Sequence, residues 1–234
     1  MKRFRSKGFH GIIFFASHLS FFLQFFLFGY IYLFLGLFAG LLVYNLSAQV
    51  FMHRGLAHGH YKFSSGAKKL LSTLFSFCNF GSIAANCAIH QRHHKFSDSA
   101  KDPHNFRKLG LWRTAIKDWS GEDLPHPREY APFLRDKILL HQHRHNPKYA
   151  IFASILTPFI PVCSFWLINL LFVAVHTGSS DGNGSTAINL PCLYPLMWGE
   201  EHHAEHHKNP AKRKLHDFDL IYRIGGLFSA TAKY

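Results

Sequence analysis

From Gly8 to His53 the chain contains no Asp, Glu, Lys or Arg, and this limits the folds open to it more than any other feature. A helix crosses a bilayer with about 20 apolar residues, so the stretch holds two crossings, joined by a turn near Gly29-Tyr30. A cleaved signal peptide, with an apolar region of about 7–15 residues, is too short to account for it. The soluble alternative is one very long core helix. A second charge-free stretch runs from Tyr149 to Ser180. Pro158 and Pro161 interrupt it, because proline removes a backbone donor and clashes with the preceding turn. Two short arms meeting near Thr157–Val162 are therefore expected, as a shallow or re-entrant hairpin that returns His176 to the side it left.

Charge sets the orientation. The net charge of +13 comes from the N-terminal arm, the segment between Arg54 and Lys148, and the tail after Lys208; Tyr149–His207 has no Lys or Arg. Basic loops stay cytoplasmic, so all three segments are expected on that side. There they attract anionic headgroups and an acidic redox partner or thioester carrier. No nucleic-acid-binding motif accompanies the charge, and no nucleic-acid partner is expected. The four cysteines are scattered without CxxC spacing, which leaves buried reduced thiols as the expectation.

The expected fold is an all-α, multi-pass integral membrane protein with a histidine-rich cytoplasmic cap, one domain over 1–234. Its parts are a transmembrane hairpin (11–51), a cytoplasmic region (52–148), a short membrane hairpin (149–176), and a final segment with a basic tail (177–234). Leu70–Ile89 reads as an amphipathic interfacial helix.

Three histidine clusters mark the cap: His53 and His58; His90, His93 and His94; His203, His206 and His207. Neutral imidazole is the commonest protein ligand for iron, copper and zinc, and one four-coordinate zinc would use only half of these eight, so two metal ions are expected. In each triplet the i, i+3, i+4 spacing puts the imidazoles on one helix face. His53 and His58 lie about 140° apart on an ideal helix. They converge only if the helix loosens, which Gly55 makes easy.

At these clusters the chain resembles the membrane fatty acid desaturases, nearest their Δ9 acyl-CoA and acyl-lipid branch. The resemblance runs through His53-Arg54-Gly55-Leu56-Ala57-His58-Gly59-His60-Tyr61-Lys62 and His90-Gln91-Arg92-His93-His94-Lys95-Phe96-Ser97-Asp98. It continues through Asp102-Pro103-His104-Asn105 and Gly199-Glu200-Glu201-His202-His203-Ala204-Glu205-His206-His207, covering most of the chain to Pro210. It implies two iron ions held by nine histidines, O2 as co-substrate, and a cis double bond placed in an acyl chain borne by CoA, a carrier protein or a lipid. Position by position it puts His53, His58, His90, His94 and His207 on one iron. His93, His176, His203 and His206 fall on the other, with His176 as the ninth ligand.

His202 has no counterpart in that pattern. His60, His104, His126, His141, His143 and His145 are expected as interfacial or outer groups, and Asp102 and Glu200 as carboxylates that orient ligands. Trp112 and Trp119 are candidates for a tunnel wall, and Arg92, Arg107, Lys108 and Arg113 for headgroup contacts. The resemblance departs at Phe172 and Ala204, where the branch has Asn, and in a shortened segment between the second and third clusters. No fused haem domain is expected, and electrons are expected from a separate donor, cytochrome b5 or ferredoxin with its reductase. A related di-iron hydroxylase and a catalytically inactive relative are the alternatives. The resemblance also implies the bacterial inner membrane or the endoplasmic reticulum as the location.

Overall fold

A computed structural model describes residues 7–78, 80–110, 125–156, 170–178 and 185–229. Among these the fold is all-helical: pairing is confined to two isolated bridges, Phe63 with Ser229 and Asn189 with His202. The helices are α1 (Lys7–Tyr44), a π-helical segment (Asn45–Ala57), α2 (Ser65–Phe77), α3 (Ile83–Phe96), α4 (Phe106–Leu109), α5 (Pro127–Tyr130), α6 (Lys137–Leu156), α7 (His203–Lys208) and α8 (Leu220–Phe228). The apex of the expected second hairpin, Trp112, Trp119, Arg113 and Cys163 lie outside the described residues.

The helical run of α1 breaks at Gly29, with φ 74° and ψ −177°, a region open essentially to glycine alone. This is where the turn was expected. Two crossings do not follow from it. Among the described residues one segment, Phe34–Ala57, is long and apolar enough to span a membrane, while Leu23–Tyr32 is apolar but shorter. Phe26, Leu27, Tyr30, Ile31, Phe34, Leu35 and Phe38 are exposed, whereas from Tyr44 to Ala57 the chain is almost wholly buried. The helix therefore passes from an open apolar rod into the protein's own core at Tyr44.

That core gathers Tyr44, Phe51, Leu71, Phe75, Ile83, Cys87 and Leu139 from the end of α1, the π-segment, α2, α3 and α6. The single interfacial helix expected over Leu70–Ile89 is instead two helices. Gly81 at φ 87° turns the chain, and Ser82 caps α3 by accepting from the Ala85 N–H. Gln142 of α6 pins the corner: its Oε1 accepts from Ile83 N at 3.1 Å, and its Nε2 donates to Ser76 Oγ at 3.2 Å and Gly81 O at 3.1 Å. A buried amide that serves both sides of a turn fixes the angle between α2 and α3, and α3 carries the second cluster. Cys78 and Cys87 are buried cysteines without a disulfide, as expected; Cys192 also forms none but is exposed.

Candidate metal centre

The π-segment solves the problem of the first cluster. Hydrogen bonds from i to i+5 widen the turn, and the His58 N–H donates to the His53 carbonyl at 3.1 Å. Residues five apart now share a face, and the His53 and His58 ring centroids are 5.1 Å apart. Gly55 assists differently from the expected way. A Cβ there would overlap the Phe63 ring, so its role is close packing rather than flexibility.

All nine expected histidines converge, in two sets. His53, His58, His90, His94 and His206 form the first; His93, His176, His203 and His207 form the second; within each set the facing nitrogens lie within 4.8 Å of one another. Nε2 pairs are closer still: His53–His206 3.0 Å, His58–His90 2.8 Å and His94–His206 3.0 Å in the first set. In the second, His93–His207 and His203–His207 are each 3.2 Å apart.

The division corrects the expected one, because His206 and His207 exchange places. Helix geometry gives the reason. Residues i and i+4 differ by about 40°, while i+3 falls about 60° to the other side. In α3 the pair His90 and His94 faces the first set and His93 turns to the second. In α7 the pair His203 and His207 faces the second set and His206 turns back to the first. The two triplets thus serve the two sets in mirrored fashion.

The outward nitrogens decide what the inward ones can do. His93 Nδ1 lies 2.9 Å from both Asp102 oxygens, and His203 Nδ1 is 3.2 Å from Glu200 Oε2. His53 Nδ1 is 2.8 Å from Gln49 Oε1, whose amide nitrogen is committed to Tyr44. His176 Nδ1 is 2.7 Å from the Phe172 carbonyl, and His207 Nδ1 is 3.0 Å from Ser97 Oγ. A neutral imidazole has one N–H. Where Nδ1–H donates outward to a carboxylate or carbonyl, Nε2 presents a lone pair inward. The rings of His53, His93 and His203 thus turn lone pairs into the sets, and His176 Nε2 is buried without a hydrogen-bond partner. Inward lone pairs in both sets, ringed by further imidazoles, fit two imidazole-bound metal ions.

Burial disfavours the charged form of most of these rings. It pushes His90, His94, His203, His206 and His207 far below the ordinary histidine range, helped by neighbouring imidazoles, and His58 down to about 3. Asp102 is raised by burial, but the His93 imidazole and hydrogen bonds from His93 and the His104 backbone outweigh this and hold it below the usual carboxylate range.

Beneath the two sets lies a buried ionic network. Arg54 is fully enclosed, and its Nε donates to Glu200 Oε1 at 2.6 Å. Its Nη1 donates to the Arg213 carbonyl at 3.1 Å and lies 3.8 Å from Asp219 Oδ2. Glu200 Oε1 is also 3.7 Å from His53 Nδ1, so one carboxylate touches a ring of each set. Asp102 and Glu200 were legible as orienting groups. Gln49, Ser97 and Arg54 were not singled out, although Gln49 stands four residues before His53.

The remaining histidines take outer places. His104 stacks on His93 with centroids 5.0 Å apart, and His60 Nε2 contacts the Pro210 carbonyl at 2.9 Å. His126 caps α5, His143 contacts Ser82 Oγ at 2.8 Å, and His141 packs on His145. Glu201, His202 and His216 also lie together. There the two rings stack face to face at 4.1 Å, which sets their nitrogens side by side. Phe218 N–H donates to His216 Nδ1 at 3.3 Å, and His216 Nε2 lies 3.0 Å from Glu201 Oε1. Phe172 brings its ring to 5.4 Å from His203. Arg107, expected at a headgroup, donates to the Gly178 carbonyl at 3.0 Å.

Fold and site together define an all-helical protein with paired polyhistidine clusters suited to two metals. No protein-family model matches the chain. It is similar to the hex-5-enoyl-[acyl-carrier protein] acetylenase of Moorena producens (strain JHB), 31% identical over 106 residues, which is 40% of this chain and 33% of that protein. The similarity thus spans about a third of that enzyme's length.

Proposed function

We propose that this chain is a membrane-bound di-iron oxidoreductase of the fatty acid desaturase kind, which introduces a cis double bond into an acyl chain in an O2-dependent reaction. The observation that carries the reading is the pairing of five inward imidazoles with four, each set enclosed in the protein. The relative's name, an acetylenase of an acyl-carrier-protein substrate, favours an acyl thioester on a carrier protein over CoA or a lipid ester. It does not favour the Δ9 position that the histidine motifs resemble, so the position of the bond is left to product analysis.

Each group has a part in this reading. The nine histidines are the iron ligands; Asp102, Glu200, Gln49 and the Phe172 carbonyl hold their Nδ1 protons outward so that Nε2 stays available. Arg54 balances the Glu200 charge where water does not reach it. Bound iron supplies the oxidation of an unactivated methylene, which has no acidic proton and which no side chain can attack. The protein's contribution is to hold the acyl chain so that one carbon pair meets the metals. Electrons come from a separate cytochrome b5 or ferredoxin with its reductase. The chain forms one domain that crosses the bacterial inner membrane or endoplasmic reticulum more than once, with its histidines on the cytoplasmic side.

Expression in a host deficient in unsaturated fatty acids, followed by fatty-acid analysis, tests this. A new alkene supports it, and an acetylenic product would align the chain with its relative. An alcohol would identify a hydroxylase, and no new product from iron-loaded protein would mean an inactive relative.

A further inference from the structure

The exposed apolar part of α1 is short for a bilayer. With the chain turning at Gly29, the arm from Tyr30 to Tyr44 rises about 22 Å, against a hydrocarbon thickness of about 30 Å. Beyond Tyr44 the helix is enclosed by the cap. The deficit is met by thinning the bilayer or by sinking the base of the cap into it, and the second needs a cap whose base is apolar. The cap has such a base at the right height. Asn45, the first residue past the exposed arm, donates from Nδ2 to the Leu196 carbonyl at 3.1 Å. Leu196 closes the run Leu190-Pro191-Cys192-Leu193-Tyr194-Pro195-Leu196, seven residues without a charge and mostly exposed. Tyr194 lies against Phe218, centroids 6.4 Å apart. Phe218 is 67% exposed, and Tyr222, four residues on, is 40% exposed.

Polar surroundings complete the pattern. Exposed Lys212, Arg213, Lys214 and Arg223 follow or flank the patch, with Asp217 as the exposed acid among them. Aromatic and aliphatic side chains edged by cations are the chemistry of an anionic membrane interface. We infer that the 190–196 run, Phe218 and Tyr222 form a foot that embeds the base of the cap in an anionic cytoplasmic leaflet, at the level of Asn45, continuous with the lipid-facing side of α1. This rests on the membrane reading above and adds to it where the cap itself meets lipid.

Site-directed spin labelling of the full chain in phosphatidylglycerol-containing nanodiscs tests the foot. In a Cys163→Ser background the label is placed on native Cys192. In a Cys163→Ser/Cys192→Ser background it is placed on Phe218→Cys, on Phe38→Cys as the lipid reference, or on Lys208→Cys as the water reference. The expected result is that labels at 192 and 218 collide more with oxygen than with a water-soluble nickel chelate, as at 38 and unlike 208. Labels at 192 and 218 that behave like 208, while 38 stays in lipid, would overturn the foot and leave the membrane reading standing. A water-exposed label at 38 would overturn both. Labels shielded from both reagents would mean that protein, not lipid, covers the patch, and would also overturn it.

Discussion

Glu200 is the residue through which the fold and both metal sets depend on one another, and replacing it by Gln keeps its shape while removing its charge. Three losses follow from the geometry. Arg54, fully buried, loses the charge on its 2.6 Å partner and keeps only Asp219, at 3.8 Å, as a counter-ion beside the Arg213 carbonyl. Breaking a buried ion pair from one side costs about 3–5 kcal/mol, and the remaining partners place this case near the lower end, about 3 kcal/mol. His203 loses the carboxylate on its Nδ1, and loss of such an orienting group lowers metal affinity about 10- to 100-fold. His53 is also held by Gln49 at 2.8 Å, so the first set weakens less. The Glu200→Gln chain is therefore expected to unfold at lower denaturant in detergent micelles, and to yield one iron to a chelator well before the other. Arg54→Met/Glu200→Leu separates the effects: part of the stability returns, because an apolar pair can replace a buried ion pair although Asp219 loses its cation at 3.8 Å, while the weakened iron site does not recover. A Glu200→Gln chain with unchanged unfolding midpoint and unchanged affinity for both irons would refute the reasoning.

Other outcomes follow from the same geometry. His176→Ala/His207→Ala removes two ligands from one set and is expected to leave one iron firmly bound, whereas His176→Ala/His206→Ala weakens both; chelator-challenge kinetics distinguish them, and the reverse pattern would restore the division expected from sequence. Gly55→Ala forces a methyl against the Phe63 ring and to 2.9 Å from the Val50 carbonyl, an overpacking expected to cost about 1–3 kcal/mol, and Phe63→Leu in the same chain should recover part of it in denaturation. The metal-free protein should lose stability on acidification. His58, His90, His94, His203, His206 and His207 are held below the ordinary 6.5, so below that pH the unfolded chain takes up protons the folded one refuses. Stability is full above about pH 6.5 and falls by about 1.4 kcal/mol per pH unit for each such histidine, for His58 until its value of about 3; a midpoint flat between pH 7 and 5 would contradict the burial of these rings.

Much of the site was legible because imidazole spacing carries its own geometry. The triplets His90–His94 and His203–His207 announce helix faces, and the five-residue gap between His53 and His58 demanded a loosened helix, which the structure supplies as a π-segment from Asn45 to Ala57. The exchange of His206 and His207 follows from how i+3 and i+4 diverge around a helix, and the position-by-position family pattern masks it. Other features depend on contacts distant in sequence. Arg54 meets Glu200 across 146 residues, and Gln142 fixes a corner made by Ser76, Gly81 and Ile83; neither residue stands out in its own neighbourhood. Leu70–Ile89 was read as one helix because its apolar residues hid the turn at Gly81, where only a positive φ and the Ser82 cap mark the break. The apolar run at 190–196 carries no such mark, since composition alone does not tell a core segment from one that faces outward.

The central claim is that two imidazole-lined sets each hold an iron ion. Anaerobic reconstitution of the purified chain with ferrous iron, followed by quantitation and iron X-ray absorption, measures this directly. The account predicts two irons per chain, bound by first-shell scatterers dominated by imidazole nitrogen. One iron or fewer, or a shell dominated by sulfur or carboxylate oxygen, would contradict it.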